Sequence, residues 1–316
     1  MLKICIVGTP PKAEQYYQVF KEMAEVVAIV ENDFDYARKF VETYHLPVYP
    51  TYRDALREVN FDAALVLVPP TIRYRVLQEI ISDGRHALVD APLTDNLETA
   101  IRICNLAEYQ GVLLSVAHLK RFNPAVLKAK ELIDAGETGR LLSIHSTILT
   151  PGRFPDALDA FAPEELDVFR FIAGVDIGRI SVIVAQYGRI ATASLHFIND
   201  VAGVMHLGCQ SATSIEELFI NCEAASLLVD YKNQDVFKVL SVSSDVDREL
   251  ELPDELKKEK YEIQKENPVK LIARNFVDAL TKGVRPLITG YESVRAMEAY
   301  LAARHAANTG ALVRLR

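Results

Sequence analysis

Residues 1–13, Met1-Leu2-Lys3-Ile4-Cys5-Ile6-Val7-Gly8-Thr9-Pro10-Pro11-Lys12-Ala13, run from an apolar stretch of strand length through a glycine into a helical pattern. The stretch is too short and too closely bounded by Gly8 to be a signal peptide or a membrane span, so it reads as a first buried strand. Thr9 with a proline behind it suits a helix N-cap followed by proline in the first turn. Outward from this unit the rhythm repeats. Val26–Val30, Ala63–Val68, Ala87–Val89 and Val112–Ala117 are further strand-length apolar runs, separated by amphipathic segments of helical period such as Ala13–Met23 and Tyr36–Tyr44. This alternation predicts parallel β-α-β units in a doubly wound sheet. Thr51 and Asp95 fit as further caps, and Gly84 and Gly111 fall where helices should stop.

After Pro124 the rhythm changes. A helix over Ala125–Ala135 leads into β-rich segments at Leu141–Leu149, Ile180–Tyr187, Ala191–Phe197, Gly203–Cys209, Glu217–Cys222, Ser226–Tyr231 and Val236–Val242. Short turns such as Tyr187-Gly188-Arg189 and Asn199-Asp200 join them, which indicates an antiparallel or mixed sheet rather than more crossovers. Thr150–Pro163, with Pro151, Pro155 and Pro163, reads as a loop. The Glu- and Lys-rich stretch Asp245–Asn267 reads as a solvated excursion. Helical patterns over Val269–Lys282 and Glu292–Asn308 close the chain, with Gly310 ending the last.

Composition narrows the classes. A chain of 316 residues, half hydrophobic and a quarter charged, is long enough for two domains with cores of their own. The net charge of −8 and scattered Lys and Arg leave no basic stripe to neutralise a nucleic-acid backbone. Cys5, Cys104, Cys209 and Cys222 lie far apart, with no Cys-x-x-Cys and no clustered histidines, so neither a disulfide framework nor a metal site is indicated. The expected setting is the cytoplasm, away from membrane and nucleic acid.

A dinucleotide-binding loop needs a tight turn, a glycine where backbone approaches the pyrophosphate, and a small residue for helix-strand packing. Those positions are Gly8, Pro10 and Ala13. Pro10 places a ring where bare backbone belongs and removes an amide donor. What remains is a helix N-terminus with the added charge of Lys12, which attracts anions; the other reading is a plain strand-turn-helix that never meets phosphate. At the end of the second strand, Glu31 stands at the right distance from Gly8 to accept from adenosine ribose hydroxyls, a choice that favours NAD over NADP. Alternatively it is a turn residue in Glu31-Asn32-Asp33.

Gly84-Arg85-His86 before the fourth predicted strand, Asp90-Ala91-Pro92-Leu93 after it, Arg121-Phe122-Asn123-Pro124-Ala125 and the closing Gly290–Leu315 segment, in that order, resemble the Gfo/Idh/MocA oxidoreductases. The resemblance covers nearly the whole chain. It implies an N-terminal Rossmann domain (1–122) and a C-terminal α+β domain (123–316) with a large, mostly antiparallel open sheet, the C-terminal segment packing back on the first domain. It further implies a nicotinamide cofactor, NAD or NADP, a sugar, polyol or related carbonyl substrate, and a homodimer or homotetramer. The cofactor residues it marks are Gly8, Thr9, Lys12, Glu31, Pro69 and Asp90.

Carried over position by position, the family's catalytic residues are largely missing. Its Glu-Lys-Pro motif has become Asp90-Ala91-Pro92, and alanine neither polarises nor protonates a reacting oxygen. The helix that offers an aspartate, a histidine and a second aspartate maps onto Ala160, Glu164 and Asp167. Loss of a positioned acid or base costs about a hundred- to ten-thousand-fold in rate. Three readings absorb this: an oxidoreductase using other donors, a non-catalytic binder of dinucleotide or sugar, and a structural subunit. For the first, Lys120 is the candidate acid or electrostatic clamp, with His118 as its partner, both directly after the fifth strand at the carboxyl edge where such folds bind ligands, and Glu164 serves if burial raises its pKa. Phe154, Leu158 and Phe161 lie where the family's substrate enters and point to a less sugar-like ligand or a plugged cleft.

Overall fold

The computed structural model describes residues 1–241 and 256–315. They form two compact units, the first of residues 1–119 and 267–295, the second of residues 120–266 and 296–316.

In the first unit strand and helix alternate: β1 (Lys3–Val7), α1 (Ala13–Phe20), β2 (Glu25–Val30), α2 (Phe34–Glu42), β3 (Val48–Tyr49), α3 (Tyr52–Glu58), β4 (Ala63–Val66), α4 (Pro70–Ser82), β5 (His86–Asp90), α5 (Leu97–Gln110) and β6 (Leu114–Ala117). All pairings in this sheet are parallel, in the order β3-β2-β1-β4-β5-β6. The strands are apolar nearly throughout because both faces are covered, and every residue of β4 and β6 is buried. The order reverses between β1 and β4, which opens a crevice at the carboxyl ends of those strands. β3 was not expected; a two-residue edge pairing carries no periodicity to read.

Several caps fall elsewhere than the sequence suggests. The N-cap of α1 is Lys12, not Thr9, and it makes no side-chain cap bond. Pro10 and Pro11 form a separate turn, closed by the Ala13 amide on the Pro10 carbonyl at 2.7 Å, and this delays the helix. The cap of α5 is Asn96 rather than Asp95; its side chain accepts from the amides of Glu98 and Thr99. Thr51 caps α3 as expected, accepting from Asp54, and Gly111 ends α5 in the left-handed conformation, φ +64°.

The second unit carries α6 (Pro124–Asp134), β7 (Leu141–Leu149), α7 (Ala157–Ala173), β8 (Ile177–Ala185), β9 (Ile190–Phe197), β10 (Ala202–Gly208), β11 (Ile215–Cys222), β12 (Ser226–Asp230), β13 (Asp235–Ser241) and β14 (Leu256–Tyr261). Two helices follow, α8 (Pro268–Lys282) in the first unit and α9 (Gly290–Thr309), and the short strand β15 (Val313–Arg314) closes the chain. The sheet of the second unit runs β14-β13-β12-β11-β7-β10-β9-β8-β15, antiparallel except between β7 and β10. Its strands alternate buried and open positions, as in β9, so one face packs on α6 and α7. Left-handed backbone at Gln186, Tyr187 and Gly188 (φ 53°, 57° and 87°) reverses the chain between β8 and β9.

The loop expected over Thr150–Pro163 ends early, because α7 begins at Ala157. Asp156 caps it by accepting from Leu158 (2.8 Å) and Asp159 (3.2 Å). Pro163 lies inside this helix and forgoes one backbone bond, a cost offset by burial of Leu158, Ala162, Leu166 and Phe169. The excursion expected over Asp245–Asn267 is corrected in part. Residues 245–255, and Val242 at the end of the expected seventh strand, lie outside the described residues, but Leu256–Tyr261 is a strand paired to β13. Its charges suit a sheet edge, where Lys side chains stay in water and discourage pairing with other chains. Among the described residues no helix is long and apolar enough to cross a membrane.

Candidate cofactor cleft and catalytic positions

Within the first unit a cleft of about 1050 Å³ opens at the carboxyl ends of β1, β2, β4 and β5, walled by Gly8–Lys12, Glu31–Asp33, Pro69 and Asp90 among others. Gly8 is needed there on two counts. Its φ of +91° is disfavoured for any side chain, and an added Cβ would sit 2.9 Å from Val68 Cγ1 and 3.0 Å from the Val68 nitrogen. Pro69, at the head of α4 with Pro70 in its first turn, lines the opposite wall.

Glu31 bonds back to the loop. One carboxylate oxygen accepts from both the Thr9 amide (3.0 Å) and the Thr9 hydroxyl (2.8 Å), and the other from the Asp33 amide at 3.2 Å. Thr9, read as a helix cap, thus fastens the end of β2 to the turn after β1. Lys12 extends across the cleft to an ion pair with Asp90, the last residue of β5.

Asp90 is held from behind by Arg73 of α4. The guanidinium is buried, 3 % exposed, and Nη2 lies 3.2 Å from the Asp90 carboxylate. It also donates to the Val68 carbonyl (2.7 Å), the Asp90 carbonyl (2.6 Å) and the Pro92 carbonyl. Burial pushes the Arg73 pKa down and the Asp90 charge opposes that shift. Arg73 therefore shapes the Asp90-Ala91-Pro92 turn, whose Ala91–Pro92 peptide is cis. No pattern in the sequence marks Arg73, since an arginine on an amphipathic helix reads as solvated.

The catalytic candidates divide between the units. His118 follows β6 in the first; its ring is buried, with Nε2 3.0 Å from the Ser293 hydroxyl. Lys120 belongs to the second. Its ammonium lies 2.5 Å from Glu165 and 4.6 Å from the centre of the Tyr231 ring, while its amide donates to Glu164 at 3.0 Å. Glu165 is fully buried and also accepts from the hydroxyls of Ser146 and of Tyr231, the latter at 3.3 Å. Burial, and then the Glu165 charge, push the Tyr231 phenol well above its ordinary value. Asp167 takes a two-pronged ion pair from Arg121, at 2.9 and 2.5 Å. Ala160 and Glu164 stand on α7 one turn apart, so the family's aspartate position presents only a methyl group. Glu165, Ser146 and Tyr231 were missed. In sequence Glu165 looks like its half-buried neighbour Glu164, and the other two read as ordinary strand residues.

A parallel sheet with its order reversing between β1 and β4, and a cleft at the reversal, defines a dinucleotide-binding Rossmann unit. Residues 2–118 match the model of the Gfo/Idh/MocA family, the oxidoreductase family with NAD-binding Rossmann fold. The chain is 22% identical over 282 residues to the scyllo-inositol 2-dehydrogenase (NAD(+)) of Bacillus subtilis, covering 83% of this chain and 80% of that protein. It is 24% identical over 151 residues to the uncharacterized oxidoreductase C115.03 of Schizosaccharomyces pombe, a match spanning 46% of this chain and 41% of that one. Among solved structures, UDP-N-acetylglucosamine 3-dehydrogenase GnnA from Acidithiobacillus ferrooxidans superposes with a TM-score of 0.86 at 17% identity over 97% of both chains. An oxidoreductase from Agrobacterium radiobacter, solved with NAD+, L-tartaric acid and magnesium, gives 0.86 at 14% identity, covering 99% of this chain and 98% of that one. These structural likenesses establish the fold.

Proposed function

We propose that this chain binds NAD in the cleft of its first unit and acts as an NAD-linked oxidoreductase on a sugar, polyol or related carbonyl compound. The observation that carries the proposal is the cleft itself, with the Gly8 turn, the Lys12 ammonium and the Glu31 carboxylate on its walls. The residues fit the group: Glu31 suits the adenosine ribose diol and its charge opposes a 2′-phosphate, while Lys12 suits the pyrophosphate. Bound there, NAD supplies a hydride acceptor. The chain's own contribution to proton handling falls to Lys120, whose ammonium is paired with Glu165, with His118 and Glu164 as the further candidates. The expected assembly is a homodimer or homotetramer, and the expected compartment is the cytoplasm, where four buried free thiols stay reduced.

A specific observation favours a second reading, a binder without turnover. Ala91 and Ala160 carry no proton, Lys120 is committed to Glu165, and His118 is buried on Ser293. The test is a titration with NADH and, separately, NADPH, followed by a substrate screen. Saturable NADH binding, weaker NADPH binding and substrate-dependent turnover lost in Lys120→Ala and His118→Ala support the oxidoreductase. Binding with no turnover on any polyol or sugar selects the binder, and no binding at millimolar NADH sinks both.

A further inference from the structure

Around the Gly8 turn, the Thr9 and Lys12 groups that would meet a phosphate already hold carboxylates. The Thr9 amide and hydroxyl both point to Glu31, at 3.0 and 2.8 Å. The Lys12 ammonium sits on Asp90. Pro10 and Pro11 have no amide hydrogen, and the Ala13 amide closes the turn on the Pro10 carbonyl. The two carboxylates come from different strands, β2 and β5, and converge on this one loop from opposite sides of β1 and β4.

We infer that Glu31 and Asp90 are internal stand-ins for the phosphates of a diphosphate-bearing ligand, which enters the cleft by displacing them from Thr9 and Lys12. The inference rests on reading this cleft as a dinucleotide site. A carboxylate and a phosphate are both anionic acceptors of charge-assisted hydrogen bonds, so the exchange conserves bond types. Neither carboxylate is stranded by it. Asp90 remains paired with Arg73 at 3.2 Å, and Arg73 is too deeply buried to follow Lys12. The Lys12 side chain is 42 % exposed, so its ammonium can leave Asp90 without opening a buried site. Glu31 keeps the Asp33 amide on one oxygen, and the oxygen freed from Thr9 is the acceptor a ribose hydroxyl needs. Two consequences follow. Lys12, surplus to the neutrality of Asp90, is the group that decides phosphate affinity in place of the missing amides. Glu31 opposes a bare diphosphate and is compensated only when a ribose arrives with it.

Inorganic pyrophosphate separates these effects because it carries no ribose. Binding is measured by calorimetry on the full chain, wild type and variants, with thermal melts confirming the fold, and NADH is titrated in parallel. Lys12→Gln weakens pyrophosphate binding about tenfold and Lys12→Arg retains it. Glu31→Gln strengthens pyrophosphate binding by roughly three- to tenfold, since the competing anion is gone. Glu31→Ala serves the same purpose should the glutamine variant misfold. Wild-type affinity in Lys12→Gln, unchanged or weaker affinity in the Glu31 variants, or no pyrophosphate binding by any of these proteins overturns the inference. Pyrophosphate responses as expected without NADH binding keep the inference and sink the NAD reading; NADH binding with pyrophosphate indifferent to both residues does the reverse.

Discussion

Replacing Arg73 by methionine tests whether the turn at Asp90-Ala91-Pro92 is held from behind by a buried cation. Methionine fills much of the same volume, so the loss is polar rather than a cavity. The substitution removes donors from the Val68, Asp90 and Pro92 carbonyls and the buried partner of the Asp90 carboxylate. Breaking a buried ion pair costs about 3–5 kcal/mol when the survivor is left uncompensated. Here Lys12 still neutralises Asp90 from the cleft side, while carbonyls deprived of a donor add about 1 kcal/mol each, so the expected loss is about 3 kcal/mol. Lys12→Met is the control: its side chain is 42 % exposed, and removing it costs less than about 1 kcal/mol. The chain has no tryptophan and two units, so a single fluorescence transition is the wrong assay. Amide exchange resolves the effect by position. Arg73→Met should speed exchange along His86–Asp90 by about a hundredfold while amides of β11 in the second unit keep their rates. A loss under about 1 kcal/mol, or a Lys12→Met effect as large as that of Arg73→Met, refutes the argument.

Gly8→Ala forces a side chain into φ +91° and against Val68, and should cost about 2–3 kcal/mol and weaken NADH binding, read by urea unfolding and titration. His86 is half-buried and accepts from the Leu113 amide at 2.9 Å, and desolvation lowers its pKa despite the nearby Asp62. Because the folded state then binds fewer protons than the unfolded one, stability should fall as pH drops below the ordinary histidine value near 6.5, and this component should vanish in His86→Gln; a pH profile identical in the variant refutes it. Burial pushes the Cys5 and Cys104 thiols up to about 12, and all four cysteines are buried. A thiol reagent at pH 8 should therefore label the native chain slowly and all four sites rapidly in denaturant.

The elements legible in the sequence were those with a strong period or a complete burial pattern. The first-unit strands read as unbroken apolar runs because helices cover both faces, and Leu141–Leu149 was bounded to the residue. What failed lacked such a signal. β3 and β15 are two residues each, and β14 is so charged that it reads as solvent-facing coil. Pro163 hid six residues of α7, since a proline argues against a helix unless burial on either side outweighs it. Gly8, Lys12 and Glu31, picked out by their places after β1 and β2, all line the cleft. Arg73 and Glu165 were not legible: their roles depend on partners 17 and 45 residues away that only the fold brings near.

The turn at Asp90-Ala91-Pro92 separates two functions that a motif ordinarily carries together. Its shape depends on the backbone carbonyls of Asp90 and Pro92 and on the Asp90 carboxylate, all gathered by Arg73. None of those contacts involves the Ala91 side chain, so the turn does not depend on which side chain its middle residue carries. The same holds on α7, where Asp167 keeps its ion pair with Arg121 while Ala160 presents a methyl group. Resemblance in fold and motif order therefore speaks for the cofactor cleft and is silent on turnover. Lys12, three residues after Thr9, is a cation on the wall of the cleft, and whether it meets a phosphate or stays on Asp90 bears directly on whether this unit takes a dinucleotide.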